Sequence, residues 1–237
     1  MGNHRTCRAL GCLSMIRKPD DSHAIANPPP DTDELRRRIA DRASRSSQSV
    51  ADVAHLIDEP GSRVGGSLCA LLDCSDSMAG EDKLSSAKSG LIDMAREVAR
   101  ALMRVGLVRF SSAATIEVPV CRFDSTMVER VQGLQCGGST NMAAGLKAAI
   151  ETLGRAMGRK VILLVTDGMP DDANAALAEG DRARRLGIEV WTIGTTDADN
   201  DFLRRIAWSP ATSQVARAPD LARAINHSAT LLLTGGR

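Results

Sequence analysis

Three stretches of this 237-residue chain are apolar enough to be buried on both faces, and they constrain the fold more than any other feature. They run Leu68–Leu72, Val161–Val165 and Ile188–Ile193. Continuous runs of this length, as opposed to alternating ones, belong to parallel strands covered by helices on both sides. The sequence between them agrees. Leu84, Ala87, Leu91, Ala95, Val98 and Leu102 recur at helical spacing after the first run, in a helix reaching Arg100. Val105–Phe110 and Thr115–Val120 read as a hairpin about Ser111-Ser112, and Pro119, which lacks an amide proton, places the second arm at a sheet edge. Helices are expected over Asn141–Leu153 and Ala173–Leu186, the latter ended by Gly187, and then a short one carrying Phe202, Leu203 and Ile206. A brief strand at Gln214–Ala216 and a helix over Asp220–Leu233 close the chain. Strands alternating with helices in this rhythm specify an α/β fold: a doubly wound, mostly parallel central sheet with one antiparallel edge strand and helices on both faces.

In such sheets ligands gather beyond the carboxyl ends of the strands, where neighbouring connections diverge to opposite faces. Three polar motifs fall there. Asp73-Cys74-Ser75-Asp76-Ser77 leaves the first run, Gly137-Gly138-Ser139-Thr140-Asn141 opens a helix, and Thr166-Asp167-Gly168 leaves the second run. The candidate ligands are Asp73, Ser75, Ser77, Thr140 and Asp167, two carboxylates and three hydroxyls. All are hard oxygens, suited to Mg²⁺ (or Ca²⁺ or Mn²⁺) rather than zinc. Two aspartates just neutralise a divalent ion. The positions left over fall to water, and a partner's carboxylate can replace a water.

In order and spacing, these three motifs resemble a von Willebrand factor A domain over about residues 62–234, with the metal-ion-dependent adhesion site of that family. The resemblance implies that Ser75, Ser77 and Thr140 coordinate the ion, with Asp73 and Asp167 acting directly or through water. It also implies a Rossmann-like fold, a protein partner engaged through the metal, and membership of a larger assembly beside an ATPase-containing complex. Asp76 stands where the family often has glycine between the two serines, and is expected to face solvent as a loop residue.

The remaining sequence bounds the alternatives. Residues 1–31, ending in Asn27-Pro28-Pro29-Pro30, are expected to form a flexible leader, and 32–59 an N-terminal helix before the domain at 62–234. A formal net charge of +1 gives no case for nucleic acid or an anionic membrane surface, and no Tyr with only three Phe argues against base stacking. No apolar run is long enough to cross a membrane. Cysteines are few and widely spaced, six in all with no CxxC, and Cys69 lies in a central strand, so reduced thiols in a cytoplasm are expected. A zinc site from His4, Cys7, Cys12 and His23 matches no common ligand spacing. Cys74 and Cys136 are expected at one rim of the metal site, as inert, semi-buried thiols.

An enzyme reading competes. A strand ending in aspartate also opens Mg²⁺-dependent phosphatases of haloacid-dehalogenase type. Those enzymes need a second aspartate two residues on as general acid, and that place is Ser75. No lysine is seen placed to steady a phosphoryl group, since Lys160 begins its strand. There is no GxxxxGK[ST], HExxH or GxSxG, and His55 and His227 sit on helices away from the motifs. The expectation is therefore a binding module and not an enzyme. A scaffold with a purely structural metal is the third possibility.

Overall fold

A computed structural model describes residues 65–80 and 82–235. The expected leader and N-terminal helix, with His4, Cys7, Cys12, His23 and His55, lie outside them. Among the described residues six strands form one sheet: β1 (Ser67–Asp73), β2 (Arg104–Phe110), β3 (Ala114–Cys121), β4 (Lys160–Thr166), β5 (Ile188–Thr195) and β6 (Ser213–Ala216). Their spatial order is β3-β2-β1-β4-β5-β6, with β2–β3 the antiparallel pair and every other pair parallel. Pro119 is exposed on β3, and β3 is the sheet edge that its missing amide proton requires.

The helices among the described residues are α1 (Lys83–Arg100), α2 (Ser125–Gly133), α3 (Met142–Leu153), α4 (Ala173–Arg185), α5 (Asn200–Ile206) and α6 (Leu221–Thr234). None is long and apolar enough to cross a membrane. Alternate residues of the central strands feed two cores. Leu68, Ala70 and Leu72 pack with Leu91, Ala95 and Val98 of α1, Met127 and Val131 of α2, and Ile225 and Ala229 of α6. Cys69 and Leu71 face the other way, onto Leu146 and Ile150 of α3, Ala176 of α4 and Phe202 of α5. Every residue of β1 is buried, which is why its sequence shows no alternation.

Two details depart from the sequence expectation. Leu102 is not in α1; it has φ 61 and is 59% exposed, while Met103 takes the buried place beside it. The helix ends at Arg100 as expected, and the apolar spacing alone continues past it to Leu102. The nine-residue α2 was not foreseen. Asp124 caps it by accepting from the Met127 amide, and Lys88 of α1 donates to the carbonyls of Gln132 and Leu134 at its far end.

This order sets up the site. From β1 the chain crosses one face through α1 to β2, whereas the α3 and α4 connections around β4 run on the other face. The crevice lies between the carboxyl ends of β1 and β4, where the connections part.

Candidate functional site

Parallel register places the motifs. Leu72 is opposite Val165, so the next residues, Asp73 and Thr166, are neighbours across the strand ends. Thr166 Oγ1 donates to Asp73 Oδ2 at 2.5 Å, and the Ser75 amide donates to Asp73 Oδ1 at 2.8 Å. Asp73 is fully buried. Burial pushes its carboxyl above the ordinary range, and the nearby Asp167 charge adds to this, while the bonds from Thr166 and Ser75 act in the opposite sense.

The first motif bends away from β1 into a short 3-10 turn, Asp76–Ala79. Ser75 is buried and Ser77 exposed, with their hydroxyl oxygens 3.0 Å apart, and Ser77 Oγ donates to Asp167 Oδ1 at 2.7 Å. Asp76 points to solvent, as expected of a loop aspartate. Its amide donates to the Gly138 carbonyl, and the Gly137 amide donates to the Cys74 carbonyl. These two bonds lace the second motif onto the first. The lacing brings up Thr140, which is 9% exposed. A Cβ built on Gly168 would lie 3.3 Å from Thr140 Oγ1 and 3.8 Å from Ser77 Oγ, so both hydroxyls border the same small space. Asp73, Ser75, Ser77, Thr140 and Asp167 thus converge at one edge. The set offers hard oxygens only, with a glycine leaving the room between them, and it fits a divalent cation such as Mg²⁺.

Three neighbours, Asp171, Lys83 and Asp197, escaped the sequence reading as parts of the site. Asp171 clasps the second motif: its Oδ2 accepts from Ser139 Oγ at 2.6 Å, its Oδ1 from the Thr140 amide at 3.0 Å, and its own amide donates to the Thr140 carbonyl. Lys83, the first residue of α1, follows Asp82, which is in the left-handed region at φ 57. Its Nζ donates to Asp167 Oδ2 at 2.8 Å and to Asp197 Oδ2 at 3.1 Å. Hydrogen bonding to Asp167 holds the Lys83 ammonium above the ordinary lysine range, against the opposing effect of burial. The expectation that no lysine lies at the site is thereby corrected. Lys160 does begin its strand, but Lys83 reaches the third motif from 84 positions away.

The cysteine expectation also changes. Cys74 is fully buried, not semi-buried, and burial pushes its thiol up to about 12. Cys136 is half-buried, and burial raises its thiol too. Neither is an activated nucleophile.

Because Asp171 holds Thr140 by one oxygen and its amide, and Ser139 by its other oxygen, Asp171→Ala is expected to weaken divalent-cation binding by about tenfold with little change in the melting temperature. Calorimetric titration with Mg²⁺ checks this. Equal affinity in the two proteins would mean that the clasp does not position Thr140.

Comparison with known proteins gives a consistent family. Residues 67–228 match the family described as von Willebrand factor type A domain. Mouse (Mus musculus) Matrilin-1 is 35% identical over 125 residues, 47% of this chain and 24% of the relative. The chain therefore spans about a quarter of that relative's length. Among solved structures, the vWF domain of the type V pili tip protein Mfa5 from Porphyromonas gingivalis superposes with a TM-score of 0.66 at 14% identity, covering 73% of this chain and 97% of that one. Proximal thread matrix protein 1 from the mussel byssus, solved with a zinc-occupied MIDAS motif, gives a TM-score of 0.62 at 19% identity over 72% of this chain and 46% of that one.

Proposed function

This chain belongs to the von Willebrand factor type A domain family, and from that premise we propose that it is a metal-dependent protein-binding module and not an enzyme. Ser75, Ser77 and Thr140 hold the ion by their hydroxyls, and Asp73 and Asp167 act directly or through water. Mg²⁺ is the proposed ion, since the ligand set is all oxygen and the family resemblance points the same way. The zinc in the mussel protein's motif belongs to that protein. A partner's acidic side chain completes the shell. The observation that carries this reading is the convergence of three hydroxyls, two from the first motif and one from the second, on two buried aspartates.

The partner, on this reading, is a protein of an intracellular assembly, beside an ATPase. Support for a reducing compartment comes from four free cysteines among the described residues, Cys69, Cys74, Cys121 and Cys136. The phosphatase alternative gains a lysine in Lys83 but still lacks its acid. Position 75 is a serine whose hydroxyl lies against Ser77, and Lys83 Nζ is committed to two carboxylates.

Affinity capture from the native host, in Mg²⁺ and in EDTA, tests the proposal. Partners retained with Mg²⁺ and released by chelation are expected. A partner set indifferent to chelation would exclude the metal bridge and leave contacts made elsewhere on a scaffold.

A further inference from the structure

Lys83 changes the charge count of the site. Its side chain is 9% exposed and that of Asp167 0%, whereas the side chain of Asp197 is 60% exposed and open to solvent screening. The buried charges are therefore Asp73, Asp167 and Lys83, which sum to one negative charge and not the two of a bare pair of aspartates. Among the described residues Asp73 has no cationic partner of its own; its two oxygens accept from Thr166 and from the Ser75 amide. Asp167 gives one oxygen to Ser77 and the other to Lys83. A divalent ion seated among these groups leaves the buried set with a net positive charge.

We propose that Lys83 is a fixed counter-charge that holds the site one charge short of neutralising a divalent ion, so that the cation binds weakly alone and firmly only when an anionic ligand joins it. The geometry supports a fixed charge and not a mobile one. Lys83 Nζ cannot leave Asp167 without stranding a buried carboxylate, and Asp197 fastens it from the solvent side. The bland alternative is a structural tie, in which Lys83 merely joins α1 to the loops after β4 and β5. The two accounts predict opposite signs. Removing a counter-charge tightens cation binding; removing a tie that orients Asp167 loosens it.

This inference rests on the metal reading above, and the test keeps the two apart. Free Mn²⁺ is titrated into the full chain, its affinity read by electron paramagnetic resonance, for wild type, Lys83→Met and Asp197→Asn, each checked for folding by its melting curve. Lys83→Met is expected to bind Mn²⁺ about tenfold more tightly or better. Asp197→Asn, which leaves the ammonium to Asp167 alone, is expected to bind about threefold more weakly. Unchanged or weaker binding by folded Lys83→Met overturns the counter-charge and makes Lys83 a tie. Should Lys83→Met fail to fold, Asp197→Asn decides, and an affinity equal to or above wild type overturns the inference. Detectable binding by Lys83→Met but not wild type supports it. No Mn²⁺ binding by any folded form removes the metal reading itself, and the inference with it.

Discussion

Asp73→Ala is expected to lower divalent-cation affinity about a hundredfold or more and, on the proposed function, to abolish the stabilisation expected of Mg²⁺ in the wild-type chain. The reason is a charge balance. With Lys83 bound to Asp167, Asp73 supplies the buried negative charge that remains for a cation. Its removal brings the buried set to neutrality before any ion arrives. The metal-free protein should suffer far less. The substitution leaves the Ser75 amide and the Thr166 hydroxyl without their acceptor, at about 1–3 kcal/mol for each if water does not replace it. Against that stands the relief of a carboxylate that burial makes costly to ionise. Melting curves with and without Mg²⁺ separate the two effects. At a Mg²⁺ concentration a hundred times the wild-type Kd, bound ion adds about 2.7 kcal/mol to wild-type stability. The variant should show no such increment. A variant that melts like wild type in both conditions, with the Mg²⁺ increment intact, would show that Asp73 is not part of the cation site.

Gly90→Val is expected to cost about 3 kcal/mol or more, a large share of the roughly 5–15 kcal/mol that holds a domain of this kind together. Gly90 lies in the middle of α1, where glycine is otherwise unfavourable by about 1 kcal/mol relative to alanine. The packing explains it. A Cβ at this position would stand 2.7 Å from the Ala222 Cα, 3.1 Å from its carbonyl oxygen and 3.1 Å from Ile225 Cβ. Two of these are backbone atoms of α6, so relief requires the helices to move apart. Both helices cover the same face of the sheet, and α1 begins with Lys83. A displaced α1 should therefore loosen the Asp167 contact as well as the core. Urea denaturation of Gly90→Ala and Gly90→Val measures the cost. If Gly90→Ala proves as stable as wild type, the helix–helix approach is softer than these distances imply.

The sheet and the gathering of the five candidate residues at one edge were legible in the sequence for one reason. Each motif is contiguous, and each ends an apolar run or opens a helix, so strand ends alone place Asp73 and Asp167 at one edge. What was not legible depends on reach. Nothing local marks Lys83, which sits at the start of an amphipathic helix among other charged residues and gains its meaning only from carboxylates 84 and 114 positions away. Asp171 likewise looks like one of two adjacent acidic loop residues. Its neighbour Asp172 caps α4 by accepting from the Ala175 amide, while Asp171 turns back to Thr140. Helix α2 is too short for periodicity to announce. Its signal, a capping aspartate at 124 followed by Met127 and Val131 on one face, spans barely two turns. The apolar spacing runs on to Leu102, beyond the end of α1 at Arg100, because spacing does not register where a helix stops; the φ of 61 at Leu102 does.

The bond from Thr166 to Asp73 joins residues 93 positions apart and belongs to a parallel pair of strands. A chain emerging from the ribosome has β1, and with it the whole first motif, long before β4 exists. During that interval the nascent segment carries Asp73, Ser75 and Ser77 but neither Thr166 nor Asp167 to complete them. Pairings of such long sequence separation close late in folding. An ion held at the proposed site would thus arrive late, on a finished sheet, and would not be the template on which synthesis begins to order it.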